Sequence, residues 1–239
     1  MKKVICSIFI LMSIFSFGQN QEKNLYNWLD EKIGLENVNI HNGKQYHERF
    51  QPKTDKHSFF ISSQFTNGNV FYNGEVYSNL SLKYDLFEQE LIVQFQKNIT
   101  STGIAIQLFK NNITSFDLHD THFVKIESKD VKGLPVLGFY QEAFSNASLK
   151  LLVKHSKHKK EVPYLETMLV EYNKNNHEYY IFYKNQYIKI KSKRNVINIF
   201  PSLKSQINTF YKKYTSLSKT DETLFLERLL KDLVSNNNL

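Results

Sequence analysis

VFYNGEVYSNLSLKYDLFEQELIVQF, residues Val70 to Phe95, decides the fold class. It reads as two consecutive β-hairpins. The first turns at Asn73-Gly74, because a two-residue type I′ turn needs positive φ at both central positions and Asn and Gly tolerate that best. This turn sets Tyr72 opposite Glu75, Phe71 opposite Val76 and Val70 opposite Tyr77. Cross-strand pairs of this kind are worth about 0.2–1 kcal/mol each. The second hairpin is expected to turn through Phe87-Glu88-Gln89-Glu90, with Leu86 opposite Leu91, Tyr84 opposite Val93 and Leu82 opposite Phe95. Those six side chains share one face, while Lys83, Asp85, Gln94 and Ile92 share the other. The alternation predicts one core face and one mostly solvated face. A one-residue slip would invert it, so the register is strongly specified. On this reading Lys83 and Asp85 are solvated alternates of the core residues Leu82 and Tyr84, and Lys83→Ser is silent for stability.

Further out, the N-terminus carries a different kind of signal. Met1-Lys2-Lys3 is basic, Val4 to Phe15 is apolar, and Ser16-Phe17-Gly18 puts small residues at the −3 and −1 positions. This is the pattern of a secretory signal peptide cleaved before Gln19, with an uncleaved anchor as the alternative. The apolar run falls short of the roughly 20 residues a membrane span needs. Cys6 is the only cysteine, and Lys3-Val4-Ile5 ahead of it is not a lipobox. Cleavage would leave a chain without thiols, which excludes disulfides, cysteine nucleophiles and thiolate-ligated zinc. The remaining residues 19–239 suffice for one domain. Loss of Lys2 and Lys3 would lower the formal net charge of +8 by two. Heavy use of Lys, Asn, Ile, Phe and Tyr fits an AT-rich genome, so part of that charge reflects codon bias. The denser basic patches are Lys154–Lys160 and Lys184–Arg194.

The rest of the chain repeats the hairpin theme. Asn24 to Leu35 reads as a short helix ending at Gly34. Val38 to His41 and Lys44 to His47 flank Asn42-Gly43, a hairpin signal. Arg49 to Ser58 reads as loop and Phe59 to Phe65 as strand. Gly103 to Phe109 is a further strand. Ile113–Leu118 and Thr121–Ile126 form a hairpin across His119-Asp120, with Phe116 opposite Phe123. Gly138–Phe144 and Leu149–His155 form another across Ser145-Asn146. Lys157 to Lys160 reads as a basic turn, and Tyr164 to Glu171 is ambiguous between strand and helix. Glu178–Tyr183 and Tyr187–Lys191 pair across Lys184-Asn185-Gln186. From Ser192 the period changes. Val196, Ile197 and Phe200 predict a short helix ending before Pro201. Leu203, Ile207, Phe210, Tyr211 and Tyr214 predict a second. Thr220 is expected to cap a last helix striped by Leu226, Leu229, Leu230 and Leu233. The fold class is therefore α+β. It is mainly an antiparallel β-meander of ten or so strands over about 38–191, open or curled. A short N-terminal helix and two or three C-terminal helices over about 192–234 complete one domain.

Chemistry is sparse. There is no G-x-S-x-G elbow, no H-E-x-x-H and no phosphate-cradling glycine loop. A carboxylate pair of the glycosidase kind needs no local motif and stays open. His119-Asp120-Thr121-His122 suggests a metal site, but it forms a hairpin tip with His122 opposite Asp117, an ordinary solvated pair. His41, His47 and His57 with Asp55 read as surface loop. His155 and His158 lie among lysines, where a cation site is electrostatically poor. The candidate site is instead an anion-contact patch of Lys154, Lys157, Lys159 and Lys160. No catalytic, cofactor-binding or metal-ligating residue is assigned. Tyr179 to Lys191 interleaves aromatics with lysines, as single-strand nucleic-acid binders do. With an export signal upstream, it reads better as a hairpin with one face buried.

Gly74-Glu75-Val76-Tyr77, Leu80 and Leu82-Lys83-Tyr84-Asp85 resemble a group of exported β-meander proteins of Gram-negative bacteria. So do Gly138-Phe139-Tyr140, Leu149 to Lys154, and Tyr187 to Lys193 followed by a short helix and Phe200-Pro201. The likeness spans about Phe59 to Leu233. It implies export to the periplasm or cell surface and carries over no catalytic residue. The functional expectation is a non-enzymatic binding or accessory module of the cell envelope, without cofactor. Its partner would be an envelope protein, an anionic polymer or an apolar ligand, with no nucleic acid and no membrane span in the mature chain. The alternatives are a carrier holding an apolar ligand in a sheet concavity, a hydrolase without recognisable motifs, and a subunit recruited through an edge strand.

Overall fold

The computed structural model describes residues 39–48, 56–95, 103–127, 133, 137–164 and 167–237. The expected signal peptide and the helix over Asn24–Leu35 lie outside them. The chain divides into two units, Met1–Asn42 and Gly43–Leu239. In the first, Asn39–His41 forms one turn of 3-10 helix.

The second unit is mostly strand. Its elements are β1 (Gly43–Gln45), β2 (Thr66–Tyr72), β3 (Glu75–Asp85), β4 (Glu90–Phe95), β5 (Ile104–Leu108), β6 (Ile113–Leu118) and β7 (Thr121–Ile126). Then come β8 (Gly138–Ser145), β9 (Leu149–Ser156), β10 (Lys159–Tyr164), β11 (Thr167–Tyr172), β12 (Asn176–Tyr183) and β13 (Gln186–Ile190). Four helices follow: α1 (Lys193–Ile199), α2 (Lys204–Lys213), α3 (Thr215–Thr220) and α4 (Glu222–Asn237). Eleven strands form one antiparallel sheet in the order β1-β5-β4-β3-β2-β6-β7-β8-β9-β12-β13, and β10-β11 stands apart as a hairpin. The fold is α+β as expected, an open antiparallel sheet followed by C-terminal helices.

The turns explain most of the pairing. Asn73 and Gly74 both have positive φ, and Tyr72↔Glu75, Phe71↔Val76 and Val70↔Tyr77 pair as the sequence predicts. His119-Asp120 and Lys184-Asn185 adopt the same positive-φ pairs, which places Phe116 opposite Phe123 and Tyr183 opposite Gln186. The second hairpin of the opening stretch departs from expectation. Its turn is Leu86–Gln89, and Tyr84 faces Leu91 while Leu82 faces Val93. Asp85 explains the shift. Its Oδ1 accepts from the backbone N–H of Phe87 (2.8 Å) and Glu88 (2.9 Å), and Gln89 closes the turn with positive φ. The register moves by two residues, so every side chain keeps its face.

Three further segments differ from the sequence reading. Gly43–Gln45 pairs with β5, not across Asn42-Gly43. Phe59 makes only an isolated bridge to Asp85 in place of a strand through Phe65. Lys159 and Lys160 open strand β10, whose partner β11 resolves the ambiguous segment as strand.

The sheet is curled. Tyr84 on β3 and Phe139 on β8 are four strand positions apart, about 19 Å across a flat sheet. Their ring centroids are 6.0 Å apart. Phe116 and Phe123 stack between them at 4.7 Å, and Phe60 packs edge-on against Phe123 at 5.1 Å. The inner face of the trough is thus filled by the protein's own rings at the β3–β8 end. At the β9–β13 end the helices fill it. Leu149, Leu151, Val153, Tyr179, Ile181 and Ile190 form one core with Phe225, Leu226, Leu229, Leu230 and Leu233 of α4. Asp221, not Thr220, caps α4, its Oδ1 accepting from the Leu224 N–H at 2.9 Å.

The outer face corrects the expectation of a solvated surface. Lys83 and Asp85 are each only 6% exposed and Ile92 is fully buried. The Lys83 ammonium lies over the rings of Phe59 at 3.9 Å and Phe65 at 4.6 Å, with Tyr46 at 5.9 Å. Burial lowers its pKa, against the opposing pull of Glu48 and Asp85.

Candidate functional site

The four lysines singled out from sequence do not act as one patch. Lys154 is buried, and its ammonium donates to the Phe139 carbonyl at 3.0 Å and to Gln89 Oε1. Burial, with Lys110 nearby, lowers its pKa to about 8. Lys157 donates to the carbonyls of His57 (2.7 Å) and Phe59 (3.0 Å), tying β9 to the segment ahead of β2. Its pKa is lowered as well, mainly by burial. Lys159 pairs with Glu161 at 3.2 Å. Only Lys160 is exposed without a hydrogen bond or ion pair among the described residues.

Lys160 belongs to a different cluster. It faces Glu171 across the β10–β11 hairpin. Together with Lys56, Lys157, Tyr172, Asn173 and Lys174 these two line a groove of about 560 Å³. Glu171 is the single carboxylate there and pairs with Lys56 at 3.1 Å. Lys174 is exposed and, like Lys160, has no hydrogen bond or ion pair among the described residues. The β10–β11 register builds one wall. The bond from His158 N–H to Asn173 Oδ1 (2.7 Å) and its return from Asn173 N–H to the His158 carbonyl (3.1 Å) close the base. Lys56 and Lys174 were missed from sequence because each is an isolated lysine, far from Lys160 along the chain. The groove is cationic and open, suited to holding an anion by charge.

On the other side of Tyr172 lies a cavity of about 250 Å³ that gathers Tyr46, Glu48, Ser58, Asp85, Glu88 and Glu90. This is where the sequence alternative of a carboxylate site is tested. Asp85 Oδ2 accepts from Ser58 Oγ at 2.6 Å, and its other oxygen caps the Leu86–Gln89 turn. Glu90 lies 3.6 Å from Lys110. Burial raises its pKa, and Lys110 offsets part of that. Burial raises Tyr172 to about 12 and Tyr46 higher, so both phenols hold their protons at neutral pH. Ser58 donates to a carboxylate, and His47, which also lines the cavity, makes no hydrogen bond to it. The cavity's groups hold one another and the turn.

His155 is buried within β9, not part of a basic turn. His122 Nδ1 and Asp117 Oδ1 are 2.6 Å apart on exposed side chains, the expected solvated pair. Among the described residues no cluster of His, Asp and Glu could hold a metal ion. No helix among them is long and apolar enough to cross a membrane. Comparison with protein-family models, characterised proteins and solved structures finds no match for this chain.

Proposed function

We propose that the protein is a non-enzymatic binding module of the cell envelope that takes an anionic polymer in the β10–β11 groove. The observation that carries the reading is the pair of lysines, Lys160 and Lys174, unpartnered among the described residues, in a groove where four lysines meet one carboxylate. An export-type leader supports an envelope location. The test is binding of inorganic polyphosphate, followed by fluorescence anisotropy or calorimetry. Affinity is expected to fall steeply between about 0.05 and 0.5 M salt, since exposed charges are screened over a Debye length. The double variant Lys160→Glu/Lys174→Glu should weaken binding by about tenfold or more, the equivalent of about 1.4 kcal/mol. Lys184→Glu/Lys191→Glu, on the other basic patch, should leave it unchanged. Salt-independent binding, or an undiminished affinity in the groove variant, would refute the proposal.

A further inference from the structure

A second cavity, of about 360 Å³, opens where the β3–β4 turn, the β5–β6 connection and the adjoining ends of β7 and β8 meet. Its volume is at the small end of the roughly 300–1,000 Å³ range of ligand pockets. Three cations and an apolar wall converge there. Lys110 and Lys125 line it beside Ile126, Leu137 and Phe139. Lys154 lies behind, bound to Gln89 and to the Phe139 carbonyl.

Lys125 is the telling residue. It stands directly opposite Phe139 on the inner face, two residues after Phe123, where the pattern calls for an apolar side chain. Its side chain is 10% exposed, and its one ionic contact is with Glu127, which is largely exposed. That carboxylate touches Nζ without hydrogen-bond geometry, and among the described residues no other group meets the buried ammonium, which keeps donors unused. An ammonium has three donors, and a buried donor without an acceptor is costly to keep. Lys110 donates to the Glu88 carbonyl at 2.9 Å and keeps donors to spare. The carboxylates near them are Glu90 beside Lys110 and Glu127 beside Lys125, with Glu178 opposite Lys154 across β9 and β12. Leu137, exposed at the rim, continues the apolar wall outward from Phe139.

We propose that this cavity binds an anionic amphiphile. Its head-group oxygens accept from Lys125 and Lys110, and its alkyl chain lies along Leu137 and Phe139. The site is separate from the β10–β11 groove and does not rest on that reading.

The probes are decanoate and decyl phosphate, with decanol and acetate as controls, titrated below micelle formation and followed by calorimetry and by backbone amide shifts. Saturable binding of decanoate or decyl phosphate is expected, with shifts centred on Ile126, Leu137 and Phe139. Binding of the phosphate alone identifies a lipid-phosphate head, and binding of both identifies a general anionic head. Decanol and acetate should bind about tenfold more weakly or worse, because each lacks one half of the recognition. Lys125→Met keeps the length of the side chain and removes its charge. It should lose about tenfold in decanoate affinity while the melting temperature stays level or rises. A merely structural lysine would lower it. Lys110→Met is the second variant and should weaken binding in the same direction. Lys160→Glu/Lys174→Glu should leave decanoate affinity unchanged. Equal binding of decanol and decanoate, unsaturable binding, or decanoate affinity within about twofold of wild type in both lysine variants would overturn the proposal.

Discussion

His155 should make the fold sensitive to mild acid, and the structure sets the size of the effect. The imidazole lies on the inner face where the ring-filled end of the trough meets the helical end. Phe60 and Phe123 are 5.1 and 5.8 Å away, and His177 is 4.7 Å away on the helical side. Nε2–H donates to Gln141 Oε1 at 2.7 Å, and Nδ1 accepts from Asn175 Nδ2 at 2.9 Å. Both nitrogens of the neutral ring are thus satisfied, and a second proton on Nδ1 would meet the Asn175 amide nitrogen unless that amide turned its oxygen inward. Burial is the main reason the pKa drops from 6.5 to about 3; His177 and Lys154 push the same way, and Asn175 pushes back. Above pH 6.5 neither the folded nor the unfolded chain protonates this group, and its contribution is level. Below 6.5 the unfolded chain takes up a proton that the folded chain refuses until about pH 3. Stability is therefore lost as pH falls through that window, by at most about 1.4 kcal/mol per pH unit. The loss from His155 is about 1.4 kcal/mol at pH 5.5 and about 2.7 kcal/mol at pH 4.5. Urea unfolding between pH 8 and 4.5 checks this in wild type and in His155→Gln. Glu90 and Glu178 also titrate near the lower end, in opposite directions. The difference between the two proteins removes them. Parallel stability curves from pH 7 to 5.5, or an NMR titration placing His155 near 6.5, would refute the reasoning.

Two substitutions separate the roles of neighbouring residues on β3. Tyr84 is buried against Phe116, Phe123 and Phe139 and donates to Gln89 Oε1 at 2.9 Å. Tyr84→Phe should cost about 1 kcal/mol and Tyr84→Ala about 3–5 kcal/mol, measured by urea unfolding. Lys83→Ser, silent on the sequence reading, should cost about 2 kcal/mol, because it empties the space between Phe59 and Phe65 and removes a desolvated cation–π contact. Lys83→Met should stay within about 1 kcal/mol of wild type in the same assay. Equal losses in the Ser and Met variants would assign the effect to charge, not packing.

The hairpins were legible because their turns are chemically marked. Asn73-Gly74 and His119-Asp120 each place two residues at positive φ, and pairing follows from the turn, whereas the last hairpin turns on Lys184-Asn185 alone and takes Gln186, expected in the turn, into the strand opposite Tyr183. The Leu86–Gln89 turn was misplaced by one residue, and the register by two, because Leu86 looks like strand. In the structure its N–H is taken by the Ser58 carbonyl (3.0 Å), a partner 28 positions away that no local pattern announces. The buried outer face was illegible for the same reason, since Phe59, Phe65 and Tyr46 cover it from outside the alternating stretch. The groove depends on Lys56 meeting the β10–β11 hairpin across nearly half the chain. Lys125 was a readable signal that went unread. Leu118, Thr121, Phe123 and Lys125 alternate along the inner face, and the lysine breaks that pattern.

Net charge gave no guide to function because the fold sorts its lysines by how many donors remain free. Lys154 and Lys157 direct their donors to carbonyl and amide oxygens inside the molecule. They hold β9 to the β3–β4 turn and to the segment before β2, so charge reversal there would break the fold before it tested any ligand. Lys83 rests on aromatic faces, which satisfy its charge but accept no ordinary hydrogen bond. Lys160 and Lys174 keep all their donors in water, where a polymer would compete for them at little desolvation cost and with strong salt dependence. Lys125 stands at the other limit, desolvated and short of acceptors. A ligand oxygen there would relieve a penalty already present in the free protein, so its binding should depend less on salt than binding in the groove. Screening acts on exposed charges and reaches buried ones weakly. If one ligand were shared by the two sites, decanoate and polyphosphate would lose affinity with salt at the same slope. Different slopes, shallow for decanoate and steep for polyphosphate, are what the burial of these lysines requires.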